Sequence, residues 1–587
     1  MCSINLIYGP LSSSTTLKSS IKKMAQETTH RGPDSTNYIR DKNLVLAINR
    51  LQIVGGLKGQ QPILDEKRNL ILMCNGEIFN YKELKTKYLK FHRFTTTSDV
   101  EVILHMYEEF GEKCINYLEG QFAFALYNKS KQQIIIARDQ YGILPLFYSI
   151  HNDFFIASSE IKAIVKSDIF KNIEFDEMGL AETILFYGPI RPRTTFKNIN
   201  QLEPGKYGVY DMGKNDYKEY TYWSLEIATE KPKKKLDSLL KESVKKRLQG
   251  DYPPGVYVSG GLDSSIIAYL TKICTPKKTL LFGIVFRDGE FNESKYQKLL
   301  AKTLRLKLIQ VNISDKDIID NLDACVYHVE APLTRLAPVP MLILSNSVKN
   351  NGLKYVLCGE GADELFLGYP VFLKDKSSYE NKWDNNILLL KFFKNKNLIK
   401  NLTKIKKDSD KFNNKTLSKD KKIRIKEIRT KLSSYLLSNQ GDRVAMANSV
   451  EQRFPFLDTK IADFAFSLKY EDLIKNNTGK YILKKYFKDR LPRDIIARDK
   501  QGFLAPDKFV IKKLLSNSKY KSLLRRKIID QVGIFDSLEI KKMLQKIKSQ
   551  KSLPDEYIQA IIFIITTHLL YQFFVEHKLN KRIKYLN

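Results

Sequence analysis

Two groups of residues in this sequence could carry out chemistry, and they point to different reactions. Cys2 follows Met1, so removal of the methionine would place a thiol and a free α-amine on one residue. Because an α-amine has a pKa of roughly 7.7–8.0, it can act as the base for its own nucleophile at neutral pH. Far downstream, the run Ser-Gly-Gly-Leu-Asp-Ser-Ser at 259–265 has the form of a phosphate-binding loop. Cys2 therefore indicates hydrolysis of an amide, and the loop indicates nucleotide chemistry.

Polar residues among the first 100 could recognise an amino acid. Arg50 could bind an α-carboxylate through two parallel hydrogen bonds, and Glu77 and Asp99 could hold an α-ammonium group. Asn75 and the backbone N–H of Gly76 could form an oxyanion hole. Taken singly, each of these residues is more typical of a turn or a surface ion pair, so the prediction depends on the whole group.

The loop at 259–265 is a stronger signal, although an ordinary strand–helix turn is the competing interpretation. Its two glycines allow close backbone approach, and its N–H groups can face an anion. The Gly-Lys-Ser/Thr ending of a Walker loop is absent, which favours binding of pyrophosphate over γ-phosphoryl transfer. A second run, Gly-Glu-Gly-Ala-Asp-Glu at 359–364, follows a predicted strand and suits a magnesium and substrate site. The run at 498–503 could provide a cation to a transition state.

Two α/β arrangements are needed to position these residues. The first part of the chain contains short apolar runs of strand length, such as 44–48, 70–74 and 122–126, separated by Gly and Asn. From residue 255 strands alternate with helices, which predicts a parallel sheet wrapped by helices. The chain after residue 369 is predicted to be largely helical, with a Lys- and Asn-rich stretch of low complexity at 391–432.

Composition narrows the class of protein. A chain of 587 residues should hold more than one domain. The net charge of +33 comes mostly from lysines without a basic-aromatic platform, which favours solvated faces over a nucleic-acid groove. The six cysteines form no C-x-x-C pair and have no histidine cluster beside them, so neither a structural zinc site nor a disulfide framework is predicted. The apolar run 560–575 is short for a membrane span of about 20 residues and is predicted to be a buried helix.

With these motifs in this order, the chain resembles the glutamine-dependent asparagine synthetases of the B type, from Met1 to about Pro506. The resemblance implies a two-domain protein of the α/β and α+β classes. Residues 1–200 would form an Ntn-type glutaminase, an αββα sandwich, and 201–235 a linker. Residues 236–587 would form a parallel-sheet adenine nucleotide α-hydrolase (PP-loop) domain with a helical C-terminal part. Ammonia from glutamine would attack β-aspartyl-AMP, releasing AMP.

The resemblance also implies a role for individual residues. By motif match, catalysis is assigned to Cys2, Glu360 and Lys500, glutamine binding to Arg50, Asn75, Gly76, Glu77 and Asp99, ATP binding to Val258, Ser259, Gly260, Gly261, Asp263, Ser264, Ser265, Ile284, Cys358 and Gly359, and metal binding to Asp263 and Asp363. The expected small molecules are glutamine, ATP with Mg²⁺, and aspartate or another acid. A cytoplasmic enzyme without a membrane or nucleic-acid partner is expected, and a homodimer is left open.

Three departures from the family pattern leave the acceptor open. Arg335 matches the arginine that precedes a Pro-Met run only with an offset, Leu367 stands where a second glycine is usual, and Asn448 stands where a histidine is common. The alternative function is the same chemistry on another small-molecule or sugar carboxylate. An intramolecular amide-forming cyclase is disfavoured by Cys2 and its polar cluster. A scaffold that binds nucleic acid through residues 391–432 is the interpretation without catalysis.

Overall fold

The structure is a computed structural model, and it describes residues 1–225, 234–287, 291–372, 387–398, 400–402, 417–499, 501–549 and 553–578. The strands are β1 Cys2–Tyr8, β2 Ser35–Asp41, β3 Leu44–Arg50, β4 Ile63–Leu64, β5 Leu70–Ile78, β6 Gly120–Asn128, β7 Gln133–Arg138, β8 Phe147–His151, β9 Phe154–Ser158, β10 Asn200–Gln201, β11 Lys206–Asp211, β12 Asp216–Thr221, β13 Gly255–Tyr257, β14 Leu280–Phe286, β15 Lys307–Ile313, β16 Tyr355–Leu357 and β17 Glu451–Arg453.

The α-helices accompany these strands and dominate the second half of the chain. They are α1 Ser14–Glu27, α2 Tyr81–Tyr88, α3 Glu101–Phe110, α4 Ile161–Lys166, α5 Glu177–Phe186, α6 Leu236–Arg247, α7 Leu262–Cys274, α8 Ser294–Leu304, α9 Asp315–Val329, α10 Pro338–Asn350, α11 Ala362–Phe366, α12 Lys419–Glu427, α13 Arg443–Met446, α14 Thr459–Ser467, α15 Tyr470–Leu473, α16 Tyr481–Phe487, α17 Arg493–Ala497, α18 Asp507–Ser516, α19 Ser518–Leu523, α20 Arg526–Val532, α21 Ser537–Ser549 and α22 Asp555–Leu570.

The N-terminal part is a sandwich of two antiparallel sheets covered by helices. The sheets have the strand orders β10-β8-β9-β1-β3-β2 and β12-β11-β7-β6-β5-β4. Ile71 and Met73 of β5 share a core with the first sheet, whereas Leu70 and Leu72 pack in a second core with α3. Side chains that alternate between two buried faces give a strand a continuous apolar run. With α1 and α4 on the first sheet, the predicted αββα sandwich is confirmed.

The second sheet of the sandwich extends further along the chain than the motifs indicated. β11 pairs with β7 and β12 pairs with β11, both antiparallel. Residues 206–221 of the predicted linker 201–235 therefore belong to the sandwich. Tyr207 and Val209 of β11 pack against the core under α3. The edge strand β12 consists of polar residues and two tyrosines, and none of its residues is fully buried, so it resembles a linker in composition.

The C-terminal part contains the predicted parallel sheet, which is confirmed. Its strand order is β15-β14-β13-β16-β17, and all its pairings are parallel. The chain leaves β13 towards β14 on one side, while β16 lies on the other side. Ligands of open parallel sheets bind at the carboxyl ends of the strands where the strand order reverses in this way. The loops that follow β13 and β16 therefore meet at this edge.

The last described helix is apolar and is buried in the protein. Within the described part of the chain, Asp555–Val575 is the one helix long and apolar enough to cross a membrane by length and composition, and 78% of its most apolar window is buried. α22 packs against α9 and α18. The predicted buried terminal helix is confirmed. Of the stretch 391–432, residues 399 and 403–416 lie outside the described residues.

Candidate functional site

Cys2 is the first residue of β1, and strand register brings its neighbours to it. β1 pairs with β3 so that Cys2 lies opposite Arg50. The backbone N–H of Cys2 donates to Asn75 Oδ1 at 2.9 Å, and Gln61 Nε2 lies 3.7 Å from the Cys2 sulfur. The thiol is buried, and burial raises its pKa. Gln61, which also binds both backbone groups of Cys74, is a site residue that the motifs did not reveal.

Asn75 and Gly76, the two residues predicted to form an oxyanion hole, lie on β5, and Asn75 contacts Cys2. Asn75 Nδ2 is buried and has no hydrogen-bond partner among the described residues, so it can donate to an incoming group. Gly76 has a φ of +149°, and a Cβ atom there would lie 2.2 Å from Gln121 O. Only glycine allows this approach of β5 to β6. The structure therefore places an unused donor beside the thiol.

The three charged residues predicted to bind glutamine have different surroundings. Arg50 donates to Gly56 O at 2.9 Å and to Val54 O at 3.1 Å. Asp99 accepts a hydrogen bond from Ile78 N at 2.7 Å, and burial raises its pKa to about 6. The role of these two side chains in binding glutamine stays a prediction.

Glu77 is also close to this site, but its carboxylate forms an ion pair with Arg453 of β17. Arg453 also pairs with Glu451 at 2.6 Å. Burial works against the charge on Arg453, but the two carboxylates outweigh it and raise its pKa. The Glu77 side chain is therefore engaged by the C-terminal domain, and the motif did not anticipate this partner.

Met1 occupies a buried position next to Cys2. Its amine lies 3.4 Å from Glu451 Oε2 and 3.4 Å from Leu51 O. Burial opposes the charge on this amine, but Glu451 outweighs it and raises the amine pKa. A carboxylate of the C-terminal domain thus already holds an ammonium group beside the thiol.

The predicted phosphate loop connects β13 to α7. Ser259 Oγ accepts from Gly261 N at 3.2 Å, and Ser265 Oγ donates to Gly261 O at 2.7 Å. Gly260 has a φ of +73°, and a Cβ atom there would lie 2.4 Å from Tyr296 Cβ. The loop is thus packed against α8, and Ser264 Oγ lies 3.3 Å from Ser259 Oγ. This arrangement gathers hydroxyl and N–H groups at the N-terminus of α7, where an anion is favoured.

The second predicted loop lies against the first, as expected for neighbouring strands. A Cβ atom on Gly359 would lie 3.0 Å from Ser264 N. Asp263 and Asp363 converge on one cation, because Lys480 Nζ lies 2.5 Å from a carboxylate oxygen of each. The two predicted magnesium ligands are therefore adjacent. Lys480 was missed, since a single lysine before a helix has no distinguishing pattern in a lysine-rich chain.

The predicted adenosine-lining residues lie at the same edge of the sheet. Val258 N donates to Phe282 O at 2.9 Å, and Ile284 O accepts from Gln297 Nε2 at 2.9 Å. Cys358 N donates to Arg453 O at 2.9 Å. Val258 and Cys358 directly follow β13 and β16, and Ile284 lies two residues before the end of β14. Glu360, between Gly359 and the left-handed Gly361, is partly exposed at this edge.

The run at 498–503 reaches the phosphate loop. Arg498 Nη1 lies 3.4 Å from Ser259 O, and Arg498 Nη2 lies 2.7 Å from Glu293 Oε1. Phe503 contacts Phe286 of β14, with ring centroids 6.3 Å apart. Lys500 lies outside the described residues, so its assignment stays a prediction.

The structure shows the contacts or the backbone conformation of the three residues that depart from the family pattern. Arg335 lies 3.6 Å from Asp507 and 3.9 Å from Asp555, so carboxylates of this chain already face it. Leu367 has a φ of +55°, a conformation that favours the glycine usual at this position. Asn448 is buried and donates to Leu342 O at 3.0 Å, which joins it to α10.

The fold and these sites define a class of protein: a glutamine amidotransferase domain with Cys2 at the start of its first strand, joined to a parallel-sheet nucleotide-binding domain. The family model of the glutamine amidotransferase domain matches residues 1–223, and that of asparagine synthase matches residues 235–570. The chain belongs to the asparagine synthase family, and the predicted resemblance is confirmed.

Relatives with curated names resemble most of the chain. A glutamine-hydrolysing asparagine synthetase 1 of Bacillus subtilis is 30% identical over 85% of both proteins. The glutamine-hydrolysing asparagine synthetase B of Escherichia coli is 28% identical over 86% of this chain and 82% of that protein. An amidase of Penicillium rubens, chyE, is 26% identical over 86% of this chain and 87% of that protein.

Proposed function

We propose that this protein makes asparagine from aspartate, with glutamine as the nitrogen donor and ATP cleaved to AMP and pyrophosphate. The observation that carries the proposal is the presence, in one chain, of the buried Cys2 thiol beside an unused amide donor and of a phosphate loop beside two convergent carboxylates. Neither group alone would couple amide hydrolysis to activation of an acid.

In the glutaminase domain, removal of Met1 would create the α-amine of Cys2 and open a space beside the thiol. The amine takes the thiol proton while the sulfur attacks the amide carbon of glutamine. Asn75 Nδ2 and the N–H of Gly76 stabilise the oxyanion, and Asp99 and Arg50 hold the charged end of glutamine. The protonated amine then gives its proton to the leaving ammonia, and water hydrolyses the thioester to glutamate.

In the synthetase domain, the hydroxyl and N–H groups of the loop at 259–265 hold the pyrophosphate of ATP. Mg²⁺, when bound, would offset the charge on the phosphates, and Asp263 and Asp363 fit it because they already converge on a cation. We assign to Lys480 the task of stabilising charge at the α-phosphate, where a compact ammonium group suits the changing geometry. Glu360 remains our candidate for assisting attack of ammonia on the acyl-adenylate.

Ammonia must pass from one domain to the other without being protonated or lost to water. β17 contacts both sites, through the Arg453 side chain at Glu77 and the Arg453 carbonyl at Cys358. We place an internal passage along this strand, and the domain boundary between 225 and 234. Holding ammonia and adenylate in one enclosure supplies the effective concentration that the reaction needs.

The test is product analysis with the purified full-length protein. It is incubated with amide-labelled ¹⁵N-glutamine, MgATP and a panel of acids, and the products are identified by mass. The proposal expects labelled asparagine from aspartate. Labelled amide from a different acid alone would replace aspartate as the acceptor, and absence of any amide would overturn the proposal.

A further inference from the structure

A cluster of metal-type ligands lies outside both sites, on the glutaminase domain. His105 and Glu108 lie on α3, and His92 precedes that helix in the segment after α2. One nitrogen of each histidine and a carboxylate oxygen of Glu108 all lie within 4.8 Å of one another. No spacing in the sequence marks this cluster, since His92 and His105 are 13 residues apart on different segments.

The distances between the three ligand atoms resemble one face of a metal coordination tetrahedron. His92 Nδ1 lies 3.3 Å from His105 Nδ1 and 3.4 Å from Glu108 Oε2, and His105 Nδ1 lies 2.7 Å from Glu108 Oε2. Zinc bonds of 2.0–2.1 Å place tetrahedral ligand atoms about 3.3 Å apart. Two of the three edges match this value, and the third would need to lengthen by about half an ångström.

The outer nitrogens of both rings face carboxylates. His92 Nε2 lies 2.8 Å from Glu109 Oε1, and His105 Nε2 lies 3.6 Å from Glu101 Oε1. The contact at His92 has hydrogen-bond length, so Glu109 can hold the proton on Nε2 and leave the Nδ1 lone pair available to a metal. His105 Nε2 has no hydrogen-bond partner among the described residues, and its contact with Glu101 is ionic only. With the proton of each neutral ring on Nε2, the two Nδ1 lone pairs would face each other across 3.3 Å, which is unfavourable without a cation between them.

The carboxylate behind His105 is itself held in place. Glu101 accepts hydrogen bonds from the backbone N–H and the hydroxyl of both Thr95 and Thr96, at 2.6 to 2.9 Å. It is buried, whereas the Glu108 side chain is 32% exposed. The side of the cluster at Glu101 is therefore buried and held by hydrogen bonds, whereas the side at Glu108 is open to solvent. An ion, and the water that would be its fourth ligand, can enter from the side of Glu108.

We propose that His92, His105 and Glu108 bind a divalent transition-metal ion, with Zn²⁺ as the expected occupant and water in the remaining position. Two imidazoles with one carboxylate suit this class of ion better than Mg²⁺ or Ca²⁺, which prefer oxygen ligands alone. The ion would fasten the segment after α2 to α3. α3 begins two residues after Asp99, so the ion would stabilise the segment that carries this side chain.

The alternative to a metal ion is a proton shared among the same three ligand atoms of His92, His105 and Glu108. Burial disfavours charge on His105, but its interactions with Glu101 and Glu108 outweigh this effect and raise its pKa. A protonated His105 would also relieve the contact between the two rings. Metal binding by the purified protein separates these two occupants.

The experiment uses the full-length Cys2→Ala protein, which lacks the thiol beside the glutamine site. After removal of metals with a chelator, Zn²⁺ is titrated by calorimetry and Co²⁺ by visible absorption. The matched variants are His92→Gln, whose ring lies at the outer side of the cluster, and Glu109→Gln. The control is His151→Gln, a histidine of β8 whose ring stacks on Phe170.

We expect the parent and the control to bind one more Zn²⁺ per chain than His92→Gln, and to show tetrahedral Co²⁺ bands that this variant lacks. Glu109→Gln should weaken Zn²⁺ binding about 10–100-fold. Zn²⁺ should raise the unfolding temperature of the parent but not of His92→Gln. Equal Zn²⁺ stoichiometry and equal affinity in the parent and in His92→Gln would overturn the proposal. A proton shared within the cluster would then explain the contact between the two rings.

Discussion

The Arg453 guanidinium in β17 forms an ion pair with the Glu77 carboxylate in β5, which lies 376 residues earlier in the chain. The backbone carbonyl of the same arginine accepts a hydrogen bond from Cys358 N, next to the loop at 359–364. One residue thus contacts both candidate sites. The position of one domain on the other is therefore part of the structure of each site.

This ion pair should be important for stability. We expect Arg453→Met to lower the free energy of unfolding by about 3–5 kcal/mol, because it leaves buried carboxylates without their cation. Urea denaturation measures the change. The control is Arg526→Met, which removes an exposed partner of Asp530 and should change stability by at most about 0.5 kcal/mol. Equal effects of the two substitutions would contradict the structural role of Arg453.

Cys2→Ala should abolish synthesis with glutamine and spare synthesis with ammonia. The reason is that Cys2 belongs to the N-terminal sandwich, whereas the phosphate loop belongs to the parallel sheet. Asparagine formation is measured with each nitrogen donor at saturation. If a folded Cys2→Ala protein lost both activities equally, the two sites would not be separate. A fully active enzyme whose mass retains Met1 would contradict the role of the α-amine.

Lys480→Ala should reduce ammonia-dependent pyrophosphate release by at least ~10²–10³, as for the loss of one preorganised electrostatic contact. Glutamine hydrolysis should survive, because the lysine contacts only the synthetase carboxylates Asp263 and Asp363 among its ion-pair partners in the described residues. Lys475→Ala, on the exposed turn before it, is the matched control. A rate near that of the parent would remove Lys480 from the site.

Ammonia-dependent pyrophosphate release should also be measured for Lys500→Ala, because Lys500 and Lys480 are both predicted to act at the α-phosphate. Loss of synthesis in both variants would place both cations at the nucleotide. An effect in Lys500→Ala alone would restore the assignment made from the motif.

Glutamine use should fall as the pH drops below about 6. Burial raises the pKa of Asp99 to about 6, so the carboxylate that is to hold the α-ammonium of glutamine becomes protonated below this pH. The kcat/KM of glutaminase activity, measured from about pH 5 to pH 8, should show this inflection. Asp99→Asn should have a low and flatter profile. The same inflection in that variant would assign it to another group.

The nucleotide product should be AMP with pyrophosphate, because the loop at 259–265 lacks the lysine of a Walker loop. A phosphorus spectrum of a complete reaction mixture distinguishes these products from ADP and phosphate. Stoichiometric ADP would exclude the acyl-adenylate.

Contiguous features could be predicted from the sequence because their geometry is local. The turn with Gly260 and Gly261 lies between a strand and a helix, and the glycines themselves permit the close backbone approach that a phosphate needs. The parallel sheet was predicted from strands that alternate with helices, and the αββα sandwich from the family resemblance that the ordered motifs carry. Cys2, Asn75 and Asp99 could be proposed as a group because each residue type suits one part of the same reaction.

Tertiary structure alone decided which distant side chains meet. Nothing near Lys480 indicates that its ammonium bridges Asp263 and Asp363, since the contact depends on how α16 approaches the sheet. The pairing of Arg453 with Glu77 depends in the same way on the packing of two domains. His92 and His105 face each other only because the segment after α2 folds back on α3. Such contacts follow from packing of whole elements, which local residue patterns do not encode.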